Sequence, residues 1–385
     1  MTEPLRDRYN FFMKQNVTVI FGTRPELIKL APVIHRLRQF PDDFAPFLLA
    51  TAQHRQMLDQ VLSLFDLTPD RDLDLMVPNQ TLDGLSARVM SSVSDIYREH
   101  KPDVVVVQGD TTTAMVAALA AFYQRIPVAH VEAGLRTGDI FNPFPEEVNR
   151  RVIGSLATFH FPPTVQAGEA LEREGVPAER VLVTGNTVVD ALQMISPALD
   201  RVPLPLALPA DRRFVLVTAH RRENFGEPME NICGAIRDLA AAFPDVDLVY
   251  PVHPNPHVRQ KTETLLRGRE RIHLLEPLNY LEFLAMMKRC TLILSDSGGV
   301  QEEAPTFGKP VLVMRHVTER PEGVAAGVAR LVGTDRKRIV DEVARLLGDP
   351  AAYAAMVGAD NPYGDGRASE RICASLKRSG SVPRE

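Results

Sequence analysis

VVVVQGDTTTAMVAALAAFYQRIPVAHVEAGLRT, residues 104–137, decides the fold class. Val104–Gln108 is a short β-branched run, Thr113–Gln124 reads as a helix, and Val128–Glu132 returns to a strand pattern. Strand, helix, strand in this order is the signature of parallel α/β architecture. Working outward toward the N-terminus, Val17–Phe21 and Phe47–Thr51 are further strands, with helices at Glu26–Gln39 and Leu82–Glu99. Val181–Thr184 reads as a last strand of this half. The alternation then breaks, because Pro197, Pro203, Pro205 and Pro209 fall in one stretch that cannot continue a helix. It restarts with strands at Phe214–Thr218, Leu248–Pro251, Ile272–Leu274, Thr291–Ser295 and Val311–Met314, and helices at Tyr280–Lys288 and Arg336–Leu347. The expectation is two Rossmann-like α/β domains with a central cleft: residues 13–196, a linker over 197–211, and residues 212–366. A C-terminal helix at about 367–385 is expected to pack back on the first domain.

Composition agrees with this division. At 385 residues the chain exceeds what one core usually supports. A net charge of -5 argues against a general nucleic-acid binder. The cysteines, Cys233, Cys290 and Cys373, are widely spaced and suit a reducing, cytoplasmic setting, with neither a disulfide framework nor a zinc site. No apolar run approaches the ~20 residues needed to span a bilayer. The mixed, charged start is not a secretory signal. Met13-Lys14-Gln15-Asn16 sits directly before the first strand, so residues 1–12 read either as a disordered leader or as translation begun upstream of the usual methionine.

In open parallel sheets the ligand crevice lies beyond the carboxyl ends of the strands. Most of the unusual residues follow strands. The first strand empties into Gly22-Thr23-Arg24-Pro25-Glu26, with Lys29 behind it. This is neither G-x-G-x-x-G nor a Walker loop, so no nicotinamide or ATP site is indicated. A plain strand-to-helix turn accounts for the same residues. Asp110 stands before Thr111-Thr112-Thr113, either as a crevice carboxylate or as a helix N-cap. Glu132 lies in a loop with glycine and arginine, which belongs to a crevice rather than a core. Pro143-Phe144-Pro145-Glu146-Glu147 opens a helix, and capping alone explains one of the two glutamates. His220, flanked by Arg221 and Arg222, reads as part of an anion site. Ser297-Gly298-Gly299 before a helix either lets backbone N–H groups approach a phosphate or merely caps that helix. Arg315 and Arg320 are candidates for a guanidinium clamp.

Together these strings resemble the non-hydrolysing UDP-N-acetylglucosamine 2-epimerase family. The matches are GTRPELIKLAP from Gly22, QGDT from Gln108, HVEAGLRT from His130, PFPEE from Pro143, GNTVVD from Gly185, TAHRREN from Thr218, HPNP from His253, SGGVQEEA from Ser297, TERPE from Thr318 and NPYGDG from Asn361. The resemblance implies the two-domain fold of the GT-B glycosyltransferases, a homodimer, and no cofactor or metal. It implies reversible conversion of UDP-N-acetylglucosamine to UDP-N-acetylmannosamine for cell-envelope polysaccharides. UDP would sit mainly on the second domain. Ser297, Gly298 and Gly299 would hold the diphosphate, Glu303 the ribose and Phe283 the uracil, with Arg24, Lys29 and Arg320 on the phosphate side or in the cleft. The catalytic group would be Asp110, Glu132, Glu146 and His220. Some members bind a second substrate molecule as activator, and the matching positions are Gln53, Gln56, Arg221 and His253. Asn79 replaces a basic residue of activated members, which weakens that last expectation. Leu278 is a second departure, where backbone can make the contact. The rivals are a retaining glycosyltransferase on the same fold, a relative acting on a substituted UDP-sugar, a hydrolysing epimerase, and a catalytically dead nucleotide-sugar sensor.

Overall fold

The computed structural model describes residues 14–51, 55–75, 77, 80–209 and 211–380, without the side chains of residues 55–57, 222 and 379–380. The expected leader over residues 1–12 lies outside these. The chain divides into two compact units, residues 1–191 with 364–385, and residues 192–363.

The first unit is built on strands β1 (Gln15–Phe21), β2 (Phe44–Ala50), β3 (Arg71–Asp72), β4 (Val104–Gln108), β5 (Val128–Val131) and β6 (Phe159–Phe161). Its helices are α1 (Arg24–Arg38), α2 (Arg55–Leu64), α3 (Leu82–His100), α4 (Thr112–Tyr123), α5 (Glu146–Leu156), α6 (Val165–Arg173) and the start of α7 (Thr187–Leu199). The second unit has β7 (Arg213–Thr218), β8 (Val246–Pro251), β9 (Ile272–Leu275), β10 (Leu292–Ser295), β11 (Val311–Val313) and β12 (Ala329–Leu331). Its helices are α8 (Glu227–Ala242), α9 (Pro256–Leu266), α10 (Tyr280–Arg289), α11 (Gly298–Glu303), α12 (Pro321–Ala325), α13 (Arg336–Gly348) and α14 (Pro350–Val357); α15 (Ala368–Gly380) belongs to the first unit.

Both sheets are parallel throughout, in the orders β3-β2-β1-β4-β5-β6 and β12-β11-β10-β7-β8-β9. Read from its own first strand, the second sheet repeats the order of the first. Each therefore reverses direction once, between β1 and β4 and between β7 and β10. Loops leaving such a strand pair turn to opposite faces and open a crevice at the carboxyl edge. The four valines of β4 are inaccessible to solvent, as a parallel strand covered on both faces must be.

Two expectations need correction. Val181–Thr184 is not a strand; Val181 makes one isolated bridge to His160, and the strand there is the three-residue β6. Pro162-Pro163 ends β6 so early that no apolar run announces it. Helix α7 runs through Pro197 to Leu199, into the stretch expected to be a linker. A proline in the last turn forfeits one intrahelical bond. The last carbonyls of the helix are capped from α10, where Lys288 donates to that of Ser196 (2.9 Å) and Arg289 to that of Leu199 (3.0 Å), and Arg289 also donates to the Val202 carbonyl beyond the helix (2.7 Å).

Helix α15 packs on α1 with Ile372, Cys373 and Leu376 buried. Asp190, buried on α7, accepts from the backbone N–H groups of Ala368 and Ser369 (3.2 and 2.8 Å) and from the Ser369 hydroxyl (2.6 Å). It caps a helix it is remote from in sequence. Asp190→Ala strands two N–H groups at that helix start and is expected to cost about 1–3 kcal/mol. Urea unfolding of variant and parent measures this, and coincident midpoints would remove the clasp from the stability account.

Candidate active site

In the first unit three loops meet at the carboxyl edge of the β1–β4–β5 strands. Glu26, in the first turn of α1 and 1% exposed, accepts from the N–H groups of Gly22 (3.0 Å) and Thr23 (2.7 Å) and from the Thr111 hydroxyl (2.7 Å). It thereby ties the loop after β1 to the loop after β4. Burial pushes its carboxyl upward against those donors. Thr111 also accepts from the Ala114 N–H (3.0 Å), so Thr111 is the N-cap of α4. That capping role is not Asp110's.

Asp110 is instead held at both ends. Its carbonyl accepts from the Asn149 amide (2.9 Å), and its carboxylate from two guanidinium nitrogens of Arg150 (2.5 and 3.2 Å). The preceding Gly109 sits at φ +69° and its carbonyl is bonded to His130 Nε2 (2.7 Å). His130 is fully buried, and desolvation lowers its imidazole to about 3. It is neutral and donates through Nε2.

Glu132, the first residue past β5, adopts φ +62°. A left-handed backbone at a non-glycine residue costs about 1 kcal/mol and collects at functional sites. Its carboxylate pairs with Lys29 of α1 and accepts from Gln108 Nε2 (3.0 Å). Since Gln108 and Val131 are partners in register, Asp110 and Glu132 leave adjacent strands at nearly the same level. The two glutamates of α5 separate cleanly. Glu147 is inaccessible and binds the Thr137 N–H (3.0 Å), Arg150 and Arg151. Burial works against its charge, but the Thr137 N–H and those guanidiniums win and hold the carboxyl below its ordinary range. Glu147 is the structural member. Glu146, half-buried at the helix start, has no hydrogen bond or ion pair among the described residues.

In the second unit the corresponding edge joins the loops after β7 and β10. Asp296 is inaccessible to solvent, and its Oδ2 accepts from the N–H groups of His220 and Arg221 (2.8 and 2.9 Å) and from Asn224 Nδ2 (2.9 Å). His220 Nδ1 lies 3.2 Å from Asp296 Oδ1. The His253 ring, beyond β8, stacks on His220 with centroids 5.3 Å apart and planes inclined by 15°. Burial, then the neighbouring His220, lowers the His253 imidazole from its usual value.

Ser297-Gly298-Gly299 opens α11. The turn is braced by Gln301, whose amide donates to the Ser297 carbonyl (3.2 Å) and accepts from the Thr318 hydroxyl (2.7 Å). Arg320 pairs with Glu302, and Arg221 lies 3.5 Å from Glu319. Glu303 accepts from the Tyr280 hydroxyl (3.1 Å), one turn from the half-buried Phe283 on α10. Arg24 is half-buried at the start of α1. Arg315 is not a free clamp: 7% exposed, it lies between Glu223 and Glu319, which neutralise it. Gln53 and Asn79, and the side chain of Gln56, lie outside the described residues. Glu26 and Asp296, which brace loops that carry expected site residues, go unmarked in the sequence. Their carboxylates look like ordinary caps until strand pairing is known.

Residues 36–377 match the family model described as UDP-N-acetylglucosamine 2-epimerase. The chain belongs to that family. The Escherichia coli K12 UDP-N-acetylglucosamine 2-epimerase is 51% identical over 371 residues, 94% of this chain and 98% of its own. The Neisseria meningitidis UDP-GlcNAc 2-epimerase, solved with UDP-GlcNAc bound, is 46% identical with a TM-score of 0.85, covering 94% of this chain and 100% of that one. The glycotransferase of kitacinnamycin, 13% identical with a TM-score of 0.63 and covering 96% of this chain and 100% of its own, shares the GT-B-like fold alone. Among the described residues no helix is long and apolar enough to cross a membrane.

Neither Gly298 nor Gly299 has the positive φ that demands glycine. A Cβ added at Gly298 would come no nearer than 3.6 Å to Arg221 Nη2, and one at Gly299 no nearer than 3.9 Å to Ser297 Oγ. The chain's own packing does not require these glycines. The Ser297 side chain also leaves the start of α11 uncapped. What two missing methyls and uncapped N–H groups leave is room and donors for an anion.

Proposed function

We propose that this chain, as a UDP-N-acetylglucosamine 2-epimerase, interconverts UDP-N-acetylglucosamine and UDP-N-acetylmannosamine by elimination and readdition of UDP. Carbon 2 of the sugar has no adjacent carbonyl, so its hydrogen is a poor acid. As the bond from carbon 1 to the diphosphate oxygen breaks, its electron pair leaves with UDP and positive character builds beside carbon 2. A carboxylate then takes the proton from carbon 2, and those C–H electrons form the double bond of a glycal. In the return step a proton arrives at the opposite face of carbon 2 and the diphosphate oxygen reattacks carbon 1. Such a path needs acid–base groups on the sugar and fixed positive charge or dipoles on the leaving group.

The observation that carries this reading is the pair Asp110 and Glu132, leaving neighbouring strands with Arg150 and Lys29 holding each in place. They handle the protons, and Glu146, with no bond among the described residues, acts electrostatically. His220, Arg24, Arg320, Ser297 and the N–H groups at Gly298 and Gly299 serve the diphosphate, with Glu303 on the ribose and Phe283 on the uracil. Lys29, through its pair with Glu132, belongs to the sugar end. The working form is a cytoplasmic homodimer supplying a cell-envelope polysaccharide precursor. A second substrate molecule acting as activator would bear on His253 and Arg221, next to the catalytic imidazole.

Incubation with UDP-N-acetylglucosamine in heavy water tests the reading. An equilibrium mixture of the two UDP-sugars is expected, with deuterium at carbon 2. Deuterium uptake without the epimer, epimer without deuterium, or free sugar as the main product would each reject it.

A further inference from the structure

The conformation of His220 is over-determined, and the group responsible is a buried carboxylate with one oxygen to spare. Asp296 Oδ2 takes three N–H donors, all from the loop that carries His220. Oδ1 is equally buried and makes no fully formed hydrogen bond among the described residues; the polar atom it faces is His220 Nδ1, 3.2 Å away. A buried carboxylate oxygen left unsatisfied costs more than ~1–3 kcal/mol, so a proton on Nδ1 is strongly favoured over a lone pair. Burial works to raise the Asp296 carboxyl, but His220 and the backbone donors outweigh it and hold it below the usual carboxylate range. It is therefore an acceptor only. The His253 ring, whose Nδ1 accepts from the Asn255 N–H (3.2 Å), lies nearly parallel to that of His220 with centroids 5.3 Å apart.

We infer that Asp296 is a positioning residue: it holds one proton of His220 on Nδ1, so that Nε2 is the atom that delivers a second proton to the departing diphosphate oxygen and is left with its lone pair in the neutral Nδ1–H tautomer. This rests on His220 serving the departing diphosphate. The arrangement parallels the carboxylate that orients the histidine of a serine-protease triad, on an unrelated fold and for a different reaction.

Asp296→Asn discriminates a tautomer lock from a structural acceptor. The three N–H donors require the amide oxygen in the Oδ2 position. That puts the amide NH2 against His220 Nδ1, where two donors cannot face each other. The imidazole must accept there and move its proton to Nε2. Nitrogen-15 spectra of histidine-labelled protein, recorded at a pH where no imidazolium signal remains, read the tautomer, with the His220 signal identified by its loss in His220→Gln. The expected results are Nδ1–H in the parent and Nε2–H in Asp296→Asn. Turnover should fall at least ~10-fold while KM and UDP affinity change less than ~3-fold. In the His220→Gln background the second substitution should cost less than a further ~3-fold.

An Nε2–H tautomer in the parent overturns the inference, and this measurement stands even if Asp296→Asn fails to fold. So does an unchanged tautomer in a slowed Asp296→Asn, or an undiminished loss in the His220→Gln background. None of the tautomer readings depends on the substrate, so failure of the epimerase reading would appear separately in the heavy-water experiment.

Discussion

Glu132→Gln is expected to lower turnover by at least ~10²-fold while leaving UDP affinity within ~3-fold of the parent. Glutamine is isosteric, and its carbonyl oxygen can still accept from Gln108 and Lys29, the two groups that hold Glu132. It has the same unbranched side chain, so the left-handed backbone at φ +62° is no more strained than before. What is lost is the ability to carry a proton. Asp110→Asn should behave alike, since Arg150 and Asn149 retain an oxygen to bind. Apart from Arg24, UDP binding is assigned to groups of the other unit, so it should largely survive both changes. Isothermal titration with UDP beside steady-state kinetics makes the comparison. Losses of equal size in turnover and UDP affinity would mean that the carboxylates maintain the fold and do not run the chemistry.

The second large effect concerns binding. Gly298→Ala combined with Gly299→Ala should weaken UDP affinity about 10²-fold and leave the melting temperature unchanged or slightly raised. Each added methyl occupies space that the protein itself leaves open, with nearest neighbours at 3.6 and 3.9 Å. Alanine is also the better helix former by about 0.5–1 kcal/mol, so stability should not suffer. A diphosphate brought against these N–H groups would be pushed outward. Hydrogen bonds to a charged acceptor contribute about 1.5–3 kcal/mol each, so losing one or two yields the stated factor. Undiminished UDP binding by a stably folded double variant would take the diphosphate away from this turn.

The fold class was legible because a parallel strand buried on both faces leaves a run such as Val104–Gln108, and most of the proposed site residues follow such runs. The neighbours of each strand were not legible. Nothing in Thr218 or Ser295 announces that β7 lies beside β10, yet that pairing brings Asp296 to His220. Very short strands left too little pattern, as at β3, β6 and β12. Of the glutamates after Pro145, sequence could say only that one was structural. Choosing Glu147 required the Thr137 N–H, which a proline-rich loop folds back onto it. Helix α7 outlasted its proline because two basic side chains more than 80 residues later cap its end.

The clasp between Asp190 and the start of α15 has a consequence for synthesis. The chain begins the first unit, departs from it in α7, and returns only at Gly364. The second unit is thus a guest inserted in its host, with both ends anchored in the same body. On the ribosome the guest can finish folding while the host still awaits its last helix. Until α15 emerges, the face of α1 that it covers stays bare.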